Sequence, residues 1–170
     1  MKIGMFTLLF NDRPLEEVAD YAASLGYEMF ELFASRGSNH FDLDQAYDDP
    51  AYGKSIKKML ADRDIGISAL SDAVSGQMVL PPPDSSLDEW AGTSNKDEMW
   101  KYGRDHVIKT ARVASELEIP VVQCFTGSTV WANWYMWPPS QKEIYERGWD
   151  LFVDCIHQVF NGFDGICITF

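Results

Sequence analysis

Several things are scarce in this chain, and each scarcity excludes something. It has three cysteines, Cys124, Cys155 and Cys167, an odd number without a C-x-x-C spacing, so neither a disulfide framework nor a zinc knuckle is expected. No apolar stretch approaches the roughly 20 residues needed to span a bilayer. Positive charge is short as well: 14 Lys and Arg stand against 26 Asp and Glu, a net charge of −12. An acidic surface of that size opposes phosphate backbones and anionic lipid, which argues against nucleic-acid or membrane partners. The turn Thr7-Leu8-Leu9-Phe10-Asn11-Asp12 contains no glycine, so it offers no cradle for a pyrophosphate. Cytosolic life is the simpler expectation.

What is present is an apolar fraction of 46% in 170 residues, enough for one domain spanning residues 1–170. Strand and helix patterns alternate along it. Ile3 to Phe10 is almost continuously apolar, as in a parallel strand covered on both faces. Asp12 is placed to cap a helix, Pro14 to fill its first turn and Gly26 to end it, with Leu15, Val18, Ala19, Ala22 and Leu25 on one stripe. Tyr27 to Phe33 and Ile65 to Leu70 read as strands, with a helix marked by Tyr52, Ile56, Met59 and Leu60 between them. A longer helix is expected from about Lys96 to Glu118, its inward side carrying Met99, His106, Val107, Thr110, Ala111, Ala114 and Leu117. Ile119 to Phe125 is a further strand. Ser140 and Glu143 suit a capping box for a last helix, with Ile144, Leu151, Phe152, Cys155, Ile156 and Val159 on its stripe. Gly165 to Phe170 reads as a fifth strand.

Connection lengths discriminate between α/β architectures. Gly26, Asp64 and 161–164 join helices to strands in a few residues, whereas Ala34–Pro50, Ser71–Asn95 and Thr126–Pro139 are long. All the long connections follow strands. That asymmetry is expected of a (β/α)8 barrel, whose active face is built from the loops after the strands; an open doubly wound sheet is the alternative. About five strands and four helices of an incomplete TIM barrel are then present.

Candidate binding residues lie on those strand ends and loops. Glu31 is a lone charge in an apolar run, costly unless it is paired or faces a pocket. His40, Asp42 and Asp44 alternate, so an extended loop would put three ligand-type side chains on one side; short acidic loop segments also serve as helix caps. Ser71 and Gln77 begin a loop where Gly76 permits close approach and a glutamine can both donate and accept. Thr126 follows a strand, and Trp131, Trp134, Tyr135 and Trp137 crowd the loop behind it, where aromatic faces would cover a pocket or pack on a rim. His106 and His157 fall on helices and read as structural or solvent-facing.

The opening Lys2-Ile3-Gly4-Met5-Phe6-Thr7, the stretch from Pro14-Leu15-Glu16-Glu17 to Leu25-Gly26-Tyr27, Phe30-Glu31-Leu32, Gly66-Ile67-Ser68-Ala69-Leu70-Ser71 and Val121 to Gly127 together resemble the sugar phosphate isomerase/epimerase family, which has the xylose isomerase-like TIM barrel. The resemblance implies a sugar or cyclitol substrate, proton abstraction next to a carbonyl through an enediolate, and a divalent metal, Mn or Mg, held by carboxylates and a histidine. It also implies a histidine in the loop that carries His40, and a second one where this chain has Ala73. The first metal-ligating glutamate would follow just beyond Phe170, so these 170 residues are expected to carry no catalytic residue and no metal site, and to be inactive alone. The alternative is a non-catalytic half-barrel or binding module whose open sheet edges self-associate. A nuclease on the same barrel is disfavoured by the acidic balance and the lack of a Lys/Arg-rich face.

Overall fold

A computed structural model describes residues 1–130 and 142–163. Its strands β1 (Gly4–Phe6), β2 (Met29–Ser35), β4 (Gly66–Asp72) and β5 (Val122–Cys124) lie side by side in that order, and the two-residue β3 (Phe41–Asp42) pairs with the end of β2. The β1–β2, β2–β3 and β2–β4 pairings are all parallel. The helices are α1 (Leu15–Ser24), α2 (Leu43–Asp48), α3 (Pro50–Ala61), α4 (Asp88–Ala91), α5 (Lys96–Glu116) and α6 (Lys142–Asn161). This is the α/β alternation of a partial barrel. The expected strand from Gly165 to Phe170, the Ser140 cap and the Trp131–Trp137 cluster lie outside the described residues.

The chain divides into two compact units. One comprises Met1–Ala73 with Lys109–Gln123, the other Val74–Ile108 with the described residues from Cys124 onward. In the first, Phe30, Leu32 and Ala34 of β2 and Leu70 of β4 point to the helices, where Leu15, Val18, Ala19 and Ala22 of α1, Val113 and Ala114 of α5, and Leu117 just after α5 complete one core. In the second, Val79, Val107 and Val159 pack with Cys124, Cys155 and Ile156, while Met78, Leu87 and Met99 form a smaller cluster.

Several sequence expectations need correcting. The first strand stops at Phe6, and Thr7–Phe10 turn into a 3-10 helix. Thr7 is buried, its Oγ1 accepts the Phe33 N–H at 3.0 Å, and Leu9 swings out to 80% exposure. α1 has Pro14, not Asp12, at its N-cap, with no side-chain cap bond, and Leu25 has left its buried stripe to lie 58% exposed at the C-cap. Gly26 follows at φ +83°, the left-handed conformation that ends a helix. Ala34–Pro50 is not a bare loop: β2 continues to Ser35, and Asp42 and Asp49 cap α2 and α3 by accepting the Gln45 and Ala51 N–H groups. The inward side of α5 is as its sequence spacing predicts, with Met99, His106, Val107, Thr110, Ala111, Ala114 and Leu117 all buried. On α6, Leu151 departs from the expected stripe and is 49% exposed.

Candidate functional site

Strand alternation sorts the sheet into two faces. Because neighbours along a strand point oppositely, burial of Phe30, Leu32 and Ala34 toward the helices turns Glu31 and Phe33 the other way. Register then carries this face across the sheet. Phe6 pairs with Glu31, Glu31 with Ala69, and Phe33 with Ser71. Between Phe30 and Glu31 the β2–β4 register slips by one residue, a bulge at Ser68 whose hydroxyl donates to the Phe30 carbonyl at 3.0 Å. The bulge brings Ala69 and Ser71, rather than Ser68 and Leu70, onto the side of Glu31. Leu70 N donates to the Val121 carbonyl, and Val122 packs into the helix-side core, which leaves Gln123 on the inner face.

The result is a polar row on an otherwise apolar surface. Ser71 is fully buried and its Oγ donates to Gln123 Oε1 at 2.6 Å. This bond fixes the amide orientation and leaves Gln123 Nε2 without a partner among the described residues. Glu31 is partly exposed and has no ion-pair partner among them. β2 runs on to Ser35, so Glu31 sits mid-strand, level with Phe6 at the end of β1. An edge-on contact between the Phe6 and Phe33 rings, centroids 6.4 Å apart, flanks it. A carboxylate, an amide and a hydroxyl on a rigid sheet between aromatic rings can hydrogen-bond a polyhydroxylated ligand while excluding water from part of it.

The remaining sequence candidates are placed differently. His40 is fully buried, its Nε2 donates to the Arg13 carbonyl at 3.0 Å, and its Nδ1 has no partner among the described residues. Burial pushes the imidazole below its ordinary pKa, partly offset by the carbonyls of Arg13, Phe10 and Thr7, so the ring is neutral at neutral pH. Asp42 accepts the Gly37 and Gln45 N–H groups, and Asp44 pairs with Lys109 and, at 3.5 Å, with Arg36. His40, Asp42 and Asp44 thus serve three separate local structures and do not converge. Among the described residues no three His, Cys, Asp or Glu side chains gather where they could hold a metal ion. In the second unit, Gln77 lies in a 3-10 turn (Ser75–Met78) with its Oε1 buried and without a partner among the described residues, and Thr126 Oγ1 donates to the Gly127 carbonyl at 3.4 Å. His106 stacks on Tyr102 at 4.2 Å and His157 is exposed. Trp131 lies outside the described residues.

Sequence reasoning missed Gln123 and Thr7. Gln123 gave the same signal as Glu31, a polar residue inside an apolar strand (Val121-Val122-Gln123-Cys124-Phe125). Thr7 gave none, since a threonine is ordinary in a strand.

Residues 19–165 match the sequence family described as the xylose isomerase-like TIM barrel. Among solved structures, the chain is similar to D-psicose 3-epimerase from Clostridium cellulolyticum H10, crystallised with D-tagatose, at 11% identity and TM-score 0.55 over 95% of this chain and 48% of that one. It is also similar to a D-psicose 3-epimerase solved in the presence of D-fructose, at 16% identity and TM-score 0.52 over 99% and 51%. The chain therefore spans about half the length of these structures. Comparison with curated proteins gives no match. Among the described residues no helix is long and apolar enough to cross a membrane.

Proposed function

Because the chain belongs to the xylose isomerase-like TIM-barrel family, we propose that it contributes the opening strands, and part of the substrate pocket, of a single-domain sugar or cyclitol isomerase or epimerase. The carrying observation is the inner-face row of Glu31, Ser71 and Gln123, polar groups on neighbouring strands where a sheet interior is normally apolar. On this reading Glu31 accepts hydrogen bonds from substrate hydroxyls and Gln123 Nε2 donates to a substrate oxygen while Ser71 holds it in place. His40 braces the loop behind β2 as a neutral ring. Removing a proton next to a carbonyl needs a base and an electrophile for the enediolate. The base, and a divalent ion such as Mn or Mg, are assigned to residues other than those described. One fold neighbour was crystallised with D-tagatose and another solved in the presence of D-fructose, which makes a free ketohexose a reasonable first ligand and does not require a phosphate ester.

The test is binding rather than turnover. Titrating D-fructose by calorimetry, Glu31→Gln is expected to weaken binding about 10- to 100-fold, the loss of one hydrogen bond to a charged group, with little change in unfolding midpoint. Equal affinity for the parent protein and Glu31→Gln would remove the inner-face row from the pocket.

A second reading is favoured by one observation. Among the described residues β1 has a single strand neighbour, and Ile3, Leu9, Tyr21 and Leu25 around it are 57%, 80%, 62% and 58% exposed, beside a groove of about 630 Å³ between β1 and α1. An unpaired apolar edge recruits a strand, so the protein would self-associate there and act as a binding module. Sedimentation equilibrium of the 170-residue chain is then expected to give at least twice the 19.3 kDa of one copy, with Leu9→Glu shifting it toward 19.3 kDa. A parent protein that sediments as one copy rules this reading out.

A further inference from the structure

A second cleft, of about 250 Å³, lies wholly within the second unit and plays no part in the row of Glu31, Ser71 and Gln123. Tyr145, Gly148, Trp149 and Phe152 fall at i, i+3, i+4 and i+7 on α6, one stripe of the helix, and form one wall. Thr126, Ser128 and Thr129, after β5, supply hydroxyls to the other. Gly148 leaves the space between the two walls open: a Cβ there would sit 3.1 Å from Thr129 Oγ1 and 3.7 Å from Val130 Cγ1. Trp149 stands perpendicular to Phe152, at 86° with ring centroids 5.5 Å apart, yet is 65% exposed. Among the described residues, an indole held by an edge contact and otherwise exposed is a platform with an open face.

We propose that this cleft is a carbohydrate-binding site for a single neutral sugar or cyclitol ring. Such a ring has an apolar CH face and a hydroxyl edge, matching the aromatic wall and the Thr/Ser wall respectively. The volume is below the roughly 300–1,000 Å³ of pockets for drug-sized ligands, which suits one ring and not a chain of them. None of the lining residues among those described is charged, so a phosphate ester finds no counter-ion in them. Because the residues are separate from Glu31, the site stands or falls independently of the function proposed above.

The experiment is a ¹H–¹⁵N NMR titration of the full chain with methyl β-D-glucopyranoside and, separately, with myo-inositol. Saturable shifts are expected at the Trp149 indole N–H and the Gly148 amide, with the same midpoint in Glu31→Gln. Trp149→Ala is expected to weaken that response about tenfold or more, and Trp149→Phe to retain most of it. Thr129→Val tests the hydroxyl wall without touching the aromatic one. No shift at Trp149 and Gly148, or shifts unchanged in Trp149→Ala, would overturn the proposal. So would shifts at these positions that follow protein concentration without sugar, since the aromatic stripe would then be a contact between copies.

Discussion

Phe30→Ala is expected to lower the unfolding free energy by about 3–5 kcal/mol, read from urea unfolding followed by circular dichroism. Phe30 is fully buried, pairs with Met5 on one side and Ile67 on the other, and lies beneath the Leu15, Val18, Ala19 and Ala22 stripe of α1. Its neighbours are strands fixed by backbone bonds on both sides, so they cannot close over the void and the cavity term is felt in full. Against a typical total of about 5–15 kcal/mol this is a large fraction, enough to leave a measurable unfolded population. Tyr21→Ala, at a residue 62% exposed, is the control, expected within about 0.5 kcal/mol of the parent. The adjacent Glu31→Gln should also be nearly silent in stability while weakening sugar binding. One residue's step along β2 thus exchanges a folding role for a ligand role. A loss under about 1 kcal/mol for Phe30→Ala would mean that the ring does not face the helix-side core, and Glu31 would then not face inward.

That alternation was legible in the sequence wherever a long periodic signal existed. All seven positions expected on the inward side of α5 and the residue after it are buried, with Val113 joining them, because 21 residues give several turns over which the 3.6-residue period cannot be mistaken. Glu31 stood out for a related reason, a charge breaking a continuous apolar run. Short runs carry no such information. Ile3 to Phe10 is equally consistent with a strand and with a strand that turns, and the outcome depended on Thr7 finding the Phe33 N–H, a partner 26 residues away. The role of Asp42 as the cap of α2, with Gln45 N–H as donor, is a local signal that was present but competed with a metal reading of the same His40-Phe41-Asp42-Leu43-Asp44 alternation. What separated the two was burial of the His40 ring, a tertiary fact. Gln123 was readable and passed over; its bond to Ser71, 52 residues away, was not, because it depends on the bulge at Ser68 setting which residues of β4 face inward.

The second large effect is expected at Gly127. Gly127→Ala should destabilise by about 3 kcal/mol or more, from two costs that add. The first is conformational: φ is +73°, a region that costs an L-residue about 1–2 kcal/mol. The second is steric. An added Cβ would run into the carbonyl oxygens of Gln77 and Leu80, the backbone with which Gly127 forms an isolated parallel bridge, and backbone cannot rotate away as a side-chain end can. Gly37 separates the two terms, since its φ is +69° but nothing lies within 4 Å of its Cβ position. Gly37→Ala is therefore expected to cost only the conformational part, about 1–2 kcal/mol, in the same unfolding experiment. The consequence reaches function because Thr126 and Ser128 flank Gly127 and carry hydroxyls on the wall of the aromatic cleft. A variant that folds with its 126–128 segment pushed off the 77–80 turn would lose the hydroxyl wall while keeping Trp149, so sugar-dependent shifts at the indole should weaken even with α6 intact. Equal costs at Gly127 and Gly37 would show that the 77–80 turn yields freely, and the cleft would then have no fixed width with which to select a ring.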